Sequence, residues 1–339
     1  MVKVLQESQA SRRPQTGRDD PVTIAGSNLR AWTLALPVLR RLNELDIPFI
    51  VFKSLPLVED LYAGAAGRPT TDVDLLVRAR DVPAVLAAST ELGWREAARG
   101  VFGLLSERLG PIAAGSHQPW PLIDPSHNPP AVIDLHSDEL WRHTHSPLTG
   151  NVWSRAEQRE QDGVRFLVLS PEDGLVFLCW HAFSEGLPAR CLSDVGRLLM
   201  RKADLNWSYI ATRCIETGLT SMVYCACALA GDAEGGDWKE RLRRPRARVH
   251  VAVALHGRHS GGFTPATSRC VKALMYDGFR RRAEALRASY LPGPLELASY
   301  RGAIPGWREW GVLTAGRYAR VCLHRLGRWR RPRSSVSAS

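Results

Sequence analysis

Two aspartates stand two residues apart inside an apolar run, Thr71-Asp72-Val73-Asp74-Leu75-Leu76-Val77. On a β-strand, residues i and i+2 face the same way. Asp72 and Asp74 therefore project side by side while Val73 and Leu75 anchor the other face. Paired carboxylates repel each other and resist desolvation, and a divalent cation removes that cost. Hard oxygen ligands suit Mg²⁺, with Mn²⁺ as the alternative, and leave coordination positions for substrate phosphates. A third acid lies in the short apolar run Ala131-Val132-Ile133-Asp134-Leu135-His136. There Asp134 and His136 share a face. Two acids from one strand and one from a neighbour can hold ions roughly 3.5–4 Å apart for an in-line displacement at phosphorus. A lone Asp-x-Asp on a solvated edge strand is the bland alternative, and the third acid weighs against it.

The segment upstream offers donors for phosphate. Ile47 to Phe52 is rich in β-branched and aromatic residues and reads as a strand. Lys53-Ser54 follows, and then Leu57, Val58, Leu61 and Tyr62 at helical spacing. Ser54 stands at the N-cap position, and Pro56 fits the first turn. The free N–H groups of a helix N-terminus favour anions, and the Ser54 hydroxyl and Lys53 ammonium would add to them. A plain cap for Ser54 and a solvated strand end for Lys53 are the alternatives. Arg68, tied by a short loop to the Asp72 strand, is the further candidate for a charge facing phosphate. His136 shares the Asp134 face and is a candidate to support the metal or orient an acceptor. His181 lies on an apolar helical stretch, where a core or site-edge role is the default. Asp194 is expected to pair with Arg190 or Arg197. The pairs His143/His145 and His256/His259 complete no recognisable zinc site.

The ordered set of strand, Lys53-Ser54, helix, Leu61-Tyr62, Arg68-Pro69 and Asp72-Val73-Asp74-Leu75-Leu76-Val77 resembles the nucleotidyltransferase superfamily that includes DNA polymerase β. Within it the chain looks most like the bacterial uncharacterised nucleotidyltransferase family. Asp134-Leu135-His136, Leu169-Ser170-Pro171-Glu172-Asp173, His181 and Leu192-Ser193-Asp194-Val195 extend the likeness, which covers roughly residues 30 to 220. The resemblance implies metal-dependent transfer of a nucleoside monophosphate from an NTP. It assigns Asp72, Asp74 and Asp134 to catalysis and metal, and Lys53, Ser54, Arg68 and His181 to the nucleotide. The superfamily usually has glycine where Lys53-Ser54 stands, and glycine there allows close backbone approach to phosphate. The acceptor class, whether peptide, sugar, protein or small molecule, does not follow. A non-catalytic or antitoxin-like regulatory module on the same fold is the alternative.

The expected fold class is α/β (α+β), a small mixed sheet flanked by helices and followed by a helical domain. The expected divisions are a disordered segment over 1–27, a catalytic domain over 28–165, a helical domain over 166–300 and a basic tail over 301–339. The stripe of Leu34, Leu36, Leu39, Leu42 and Leu45 predicts an amphipathic first helix over 28–46. A helix from Asp81 to Leu92 is expected, stopped by Gly93. Residues 95–130 predict strands and loops, and Arg241 to Arg248, five arginines around Pro245, a solvated linker.

The 339 residues are 45% hydrophobic, ordinary for a globular protein. No run reaches the roughly 18–20 apolar residues that span a bilayer, and the start has no apolar signal-like stretch. The seven cysteines lie mostly in apolar helical stretches and read as reduced structural thiols. These features predict a cytoplasmic protein. The formal net charge is +11, and Arg301 to Ser339 alone carries nine arginines against Glu309. With Trp307, Trp310, Tyr318 and Trp329, that tail predicts either a solvated helix or a contact with an anionic membrane surface at the inner face. Nucleic acid is the weaker candidate for the same stretch.

Overall fold

The computed structural model of the chain describes residues 20–62, 64–96, 120–138, 146–201, 204–231, 242, 252–253, 263 and 265–290. The arginine-rich stretch over 243–248, the basic tail and the two histidine pairs lie outside the described residues, as do 1–19 and 97–119. The first helix, α1, spans Pro21–Glu44. It starts earlier than the leucine stripe predicts because Asp20 caps it. The Asp20 carboxylate accepts from the Thr23 backbone N–H at 3.1 Å and from its hydroxyl at 3.2 Å, and Pro21 occupies the first turn. Residues 21–27, expected to be disordered, are thus helical. Of the stripe, Leu36, Leu39 and Leu42 are buried, and Leu45 at the C-cap is exposed.

Seven strands follow in one mixed sheet. They are β1 (Phe49–Val51), β2 (Val73–Val77), β3 (Arg95–Glu96), β4 (Trp120–Asp124), β5 (Ala131–Ser137), β6 (Glu157–Gln161) and β7 (Val164–Val168). Their order across the sheet is β3-β4-β5-β2-β1-β7-β6. The central pair β2/β5 is parallel, while β1/β2 and β4/β5 are antiparallel. Helix α2 (Leu55–Tyr62) links β1 to β2, and α3 (Val82–Glu91) follows β2. Asp81 stands at the α3 N-cap without a side-chain bond, and Gly93 takes a φ of 85° just past its end. Helix α4 (Val152–Arg155) precedes β6. β7 runs to Val168, so the sheet extends past the predicted division at 165.

The helical half comprises α5 (Pro171–Glu185), α6 (Ala189–Arg201), α7 (Trp207–Thr217), α8 (Thr220–Ala230), α9 (Pro265–Met275) and α10 (Phe279–Tyr290). The period-2 alternation of the strands divides the core in two. Phe49, Val51, Val73, Leu75, Val77, Ile133 and Leu135 pack beneath Trp32, Leu39 and Leu42 of α1. Ile50, Phe52 and Leu76 point the other way and join the apolar face of α5, including Val176, Phe177 and Phe183. α5 is buried almost all round. It begins at Ser170, whose hydroxyl accepts from the Asp173 N–H, and ends at Gly186 with φ 87°. Cys179, Cys191, Cys214, Cys225 and Cys227 are free and buried, as the apolar setting predicts.

Candidate functional site

The pairing of β2 with β5 sets Asp74 opposite Asp134 and Leu76 opposite His136. These side chains share the sheet face that looks toward α5. One carboxylate oxygen from each of Asp74 and Asp134 and one ring nitrogen of His136 lie within 4.8 Å of one another. Two oxygens and an imidazole nitrogen at that spacing could hold a divalent cation. Among the described residues this is the group with such spacing.

Asp74 is the hub. Its side chain is 2% exposed. Its Oδ1 receives the Lys53 ammonium at 2.6 Å and lies 3.3 Å from Nε2 of His136. Burial opposes its charge, but Lys53 and His136 more than offset that and hold its carboxyl below the usual range. Asp134 lacks such partners. Burial, then repulsion from Asp74 and Asp72, pushes it up to about 7. Asp72 is raised for the same reasons, burial first and Asp74 second. It stands just before β2, and its Oδ1 accepts from the Thr70 hydroxyl at 3.2 Å. The cluster is thus short of positive charge: three carboxylates meet one ammonium.

Lys53 and Ser54 lie in the turn after β1. Burial opposes the Lys53 charge, yet Asp74, with Asp72 and Asp134, keeps its affinity for the proton above the ordinary value. The Ser54 side chain is turned inward, its Oγ accepting from the Asp74 backbone N–H at 2.8 Å. At α2 it is the Ser54 carbonyl that accepts from Leu57 and Val58, while the hydroxyl serves the β2 strand.

Aromatic rings connect the cluster to α5. The Phe52 ring meets His136 edge-on at 5.1 Å and Phe177 at 5.2 Å, and Phe177 stacks on His181 at 5.7 Å. Burial depresses the His181 proton affinity well below normal, and the Lys53 charge adds to that. His181 is therefore a neutral ring at the α5 side of the cluster.

Arg68 is held from the helical half. Its Nε donates to Oδ2 of Asp194 at 3.0 Å, and Asp194 is fully buried on α6. The Tyr62 hydroxyl donates to Oδ1 of the same carboxylate at 2.6 Å. Arg68 is thus the arginine that bonds Asp194; Arg190 adds attraction from farther off and makes its ion pair with Glu185. Arg197 instead lies over the Tyr62 ring at 4.2 Å.

Asn28 was not a sequence candidate. It is fully buried on α1, and its amide donates to the carbonyls of Ala65 (2.5 Å) and Arg68 (2.7 Å). Its Oδ1 accepts from the Thr70 N–H at 2.7 Å. Asn28 therefore fixes the loop that presents both Arg68 and Asp72. A polar residue on the same helix face as Ala31, Trp32 and Ala35 is the signal that marks it.

A family model described as uncharacterised nucleotidyltransferase matches residues 21–233. The chain belongs to this family. The match spans the sheet, the acid cluster and the helices α5 to α8, so the nucleotidyltransferase unit includes the helical side of the cleft as well as the sheet. Asp74, Asp134, His136, Lys53, Arg68, Asp194 and Asn28 all lie inside this nucleotidyltransferase match. No curated protein and no solved structure matches the chain.

Proposed function

We propose that the protein transfers a nucleoside monophosphate from an NTP to an acceptor hydroxyl or phosphate and releases pyrophosphate, with Mg²⁺ or Mn²⁺ as the cation. The observation that carries this reading is the metal-spaced group of Asp74, Asp134 and His136, with the Asp72 charge acting on it, inside a nucleotidyltransferase family match. Asp74, Asp134 and His136 would hold the cation, with Asp72 on the same face. The cation supplies Lewis-acid stabilisation of charge on the transferring phosphoryl group.

The chain's own residues do the rest. The acceptor oxygen forms a bond to the α-phosphorus as the bond to the pyrophosphate oxygen breaks, and the electron pair leaves with pyrophosphate. Asp134, on the acceptor side, takes the acceptor proton. Lys53 and Arg68 meet the phosphate charge, with Arg68 aimed by Asp194. The Ser54 hydroxyl fixes the Asp74 backbone, which makes it a positioning residue for the cation as well as a neighbour of the phosphates. His181 flanks the nucleotide or acceptor across the cleft. The arginine- and tryptophan-rich stretch over 301–339 supports a further contact with anionic membrane surface at the inner face of the cell, which co-sedimentation with anionic vesicles tests.

The acceptor is found by incubating the protein with each of four labelled NTPs, Mg²⁺ or Mn²⁺, and a host lysate. Wild type should transfer label in a metal-dependent way, and an Asp72→Asn/Asp134→Asn variant should not. Equal transfer by wild type and variant would sink the mechanism. Nucleotide binding without transfer by either would favour a regulatory module on the same fold, the reading that the Lys53–Asp74 ion pair supports, since an ammonium then fills the cation's place.

A further inference from the structure

Lys53 sits on the Asp74 oxygen that faces His136, its neighbour in the candidate metal group. Its ammonium is 2.6 Å from Asp74 Oδ1, the oxygen that also faces His136 at 3.3 Å. An octahedral dication sits about 2.1 Å from a carboxylate oxygen. An ammonium and a dication on one oxygen would then stand less than roughly 5 Å apart in a partly desolvated site, where like charges repel strongly. One of them must leave.

The backbone on either side of Lys53 is tied to Asp74, while the side chain is held at its tip by the ion pair. Phe52 donates its N–H to the Asp74 carbonyl at 3.4 Å, and Ser54 Oγ accepts from the Asp74 N–H at 2.8 Å. Residues 52 and 54 thus clamp Asp74 from both sides of Lys53. The lysine stem is flexible, with three freely rotating donors at its end. Its side chain retains 18% exposure, so it has a path outward. When it swings away it remains near Asp72 and Asp134, whose charges already act on it.

We infer that Lys53 is an exchangeable counter-ion: it neutralises Asp74 while the site lacks metal, and it moves to the triphosphate when metal and nucleotide arrive. This rests on the reading of the cluster as a metal and NTP site, and adds to it a coupling. Metal alone must displace Lys53 with nothing to receive it, so it binds weakly. Metal with a triphosphate gives the displaced ammonium a new partner, so the two bind cooperatively. Lys53 then acts as a guard against idle metal loading.

The first test compares Mn²⁺ binding, without nucleotide, to wild type, Lys53→Met and Asp134→Asn, read by the electron paramagnetic resonance signal of free Mn²⁺. Lys53→Met should bind Mn²⁺ about tenfold more tightly than wild type, within the usual range of coupling between sites. Asp134→Asn should bind more weakly than wild type. Mn²⁺ affinity that depends on Asp134 but is equal in wild type and Lys53→Met overturns the exchange and leaves the proposed function standing. Mn²⁺ binding by wild type that Asp134→Asn leaves unchanged removes both.

A second measurement on wild type covers the case in which Lys53→Met does not fold. Acylation of Lys53 by an amine reagent is followed by peptide mass spectrometry, with no additive, with saturating Mn²⁺, and with Mn²⁺ plus inorganic tripolyphosphate. The rate should rise several-fold with Mn²⁺ as the ion pair breaks, and fall again when tripolyphosphate is added. A rate indifferent to saturating Mn²⁺ overturns the inference.

Discussion

Two buried groups of acids in this molecule are built on opposite rules. At the start of α5, Asp173 is 2% exposed and enclosed by partners. Its Oδ2 accepts from Ser170 Oγ at 3.0 Å and its Oδ1 from the Tyr209 hydroxyl at 2.9 Å. The guanidinium Nε atoms of Arg155 and Arg213 stand at 3.6 and 3.7 Å. Neighbouring Glu172 takes Arg155 at 2.8 Å and the Asn206 N–H at 3.1 Å. Arg213 also donates to the carbonyls of Pro147 and Thr149, joining the loop before α4 to α7. The two buried acids there meet two arginines, one of which also pairs with exposed Glu216, and several neutral donors. In the β2/β5 cluster, Lys53 is the one ammonium among the described residues that meets three carboxylates, and Asp134 is driven to about 7 by burial and by its neighbours. A folded chain that needs only stability satisfies its buried charge. One that leaves a group of carboxylates short of cation has left room for something to bind. On the proposed function, the difference separates a structural cluster from a working one.

The sharpest way to break this comparison is to neutralise one acid in each region. Asp134→Asn should reduce nucleotidyl transfer on the order of 10³-fold, as loss of a transition-state electrostatic contact does. The same change should leave the melting temperature of the metal-free protein unchanged or higher, because it relieves repulsion from Asp74 and Asp72. Asp173→Asn should do the reverse. Removing the charge strands Arg155 and Arg213 beside a neutral side chain and should cost about 3 kcal/mol by urea denaturation. Transfer per folded molecule should stay within about twofold of wild type. Both variants losing stability and activity together would erase the distinction between the two clusters.

Asn28→Ala is expected to have an intermediate effect on both readouts. It leaves two part-buried carbonyls and one buried N–H in the 65–70 loop without their amide partner, which should cost about 1–3 kcal/mol. Loosening the loop should raise the KM for NTP more than it lowers kcat, since Arg68 is a phosphate contact in this reading.

That residue also marks the limit of what the sequence made legible. The acids of β2 and β5 stood out because alternation puts i and i+2 on one face, and local pattern is enough to see it. The mixed α/β architecture followed from the same local periodicities. Asn28, by contrast, acts on Arg68 and Thr70 across 40 and 42 positions, and Asp194 reaches Arg68 across 126. Such pairings are set by how α1 and α6 pack on the sheet, which spacing along the chain does not encode. Ser54 shows a subtler case. Its position predicted a helix cap, but its hydroxyl gains more by pairing the Asp74 N–H, which is buried and would otherwise be unsatisfied at the end of the ladder. His136 was visible as a neighbour of Asp134, and only the parallel register of β2 and β5 brought its Nε2 to Asp74.

The smallest expected effect concerns a buried amine outside the cluster. Lys272 on α9 donates to Ser184 Oγ at 2.7 Å and lies over the Trp180 ring at 3.8 Å. Burial, opposed only in part by Glu185, lowers its proton affinity from the ordinary 10.5 to about 7. In the unfolded chain the amine keeps its proton up to the ordinary value. Between about pH 7 and 10.5 the unfolded state therefore holds more protons than the folded one, and stability from this group rises with pH across that window. Below about 7 the folded state carries the full cost of a buried charge. The slope from one such group is at most about 1.4 kcal/mol per pH unit. Lys272→Met keeps the apolar stem and removes the titration. It should raise the urea midpoint at pH 7 and flatten its dependence on pH from 7 to 9, leaving Mn²⁺ affinity at the β2/β5 cluster as it was. A wild-type midpoint that does not rise over that interval would mean that Lys272 keeps its proton in the fold, held by Ser184 and the Trp180 ring. Lysine burial in this molecule would then be compensated in the helical half as it is at Asp74.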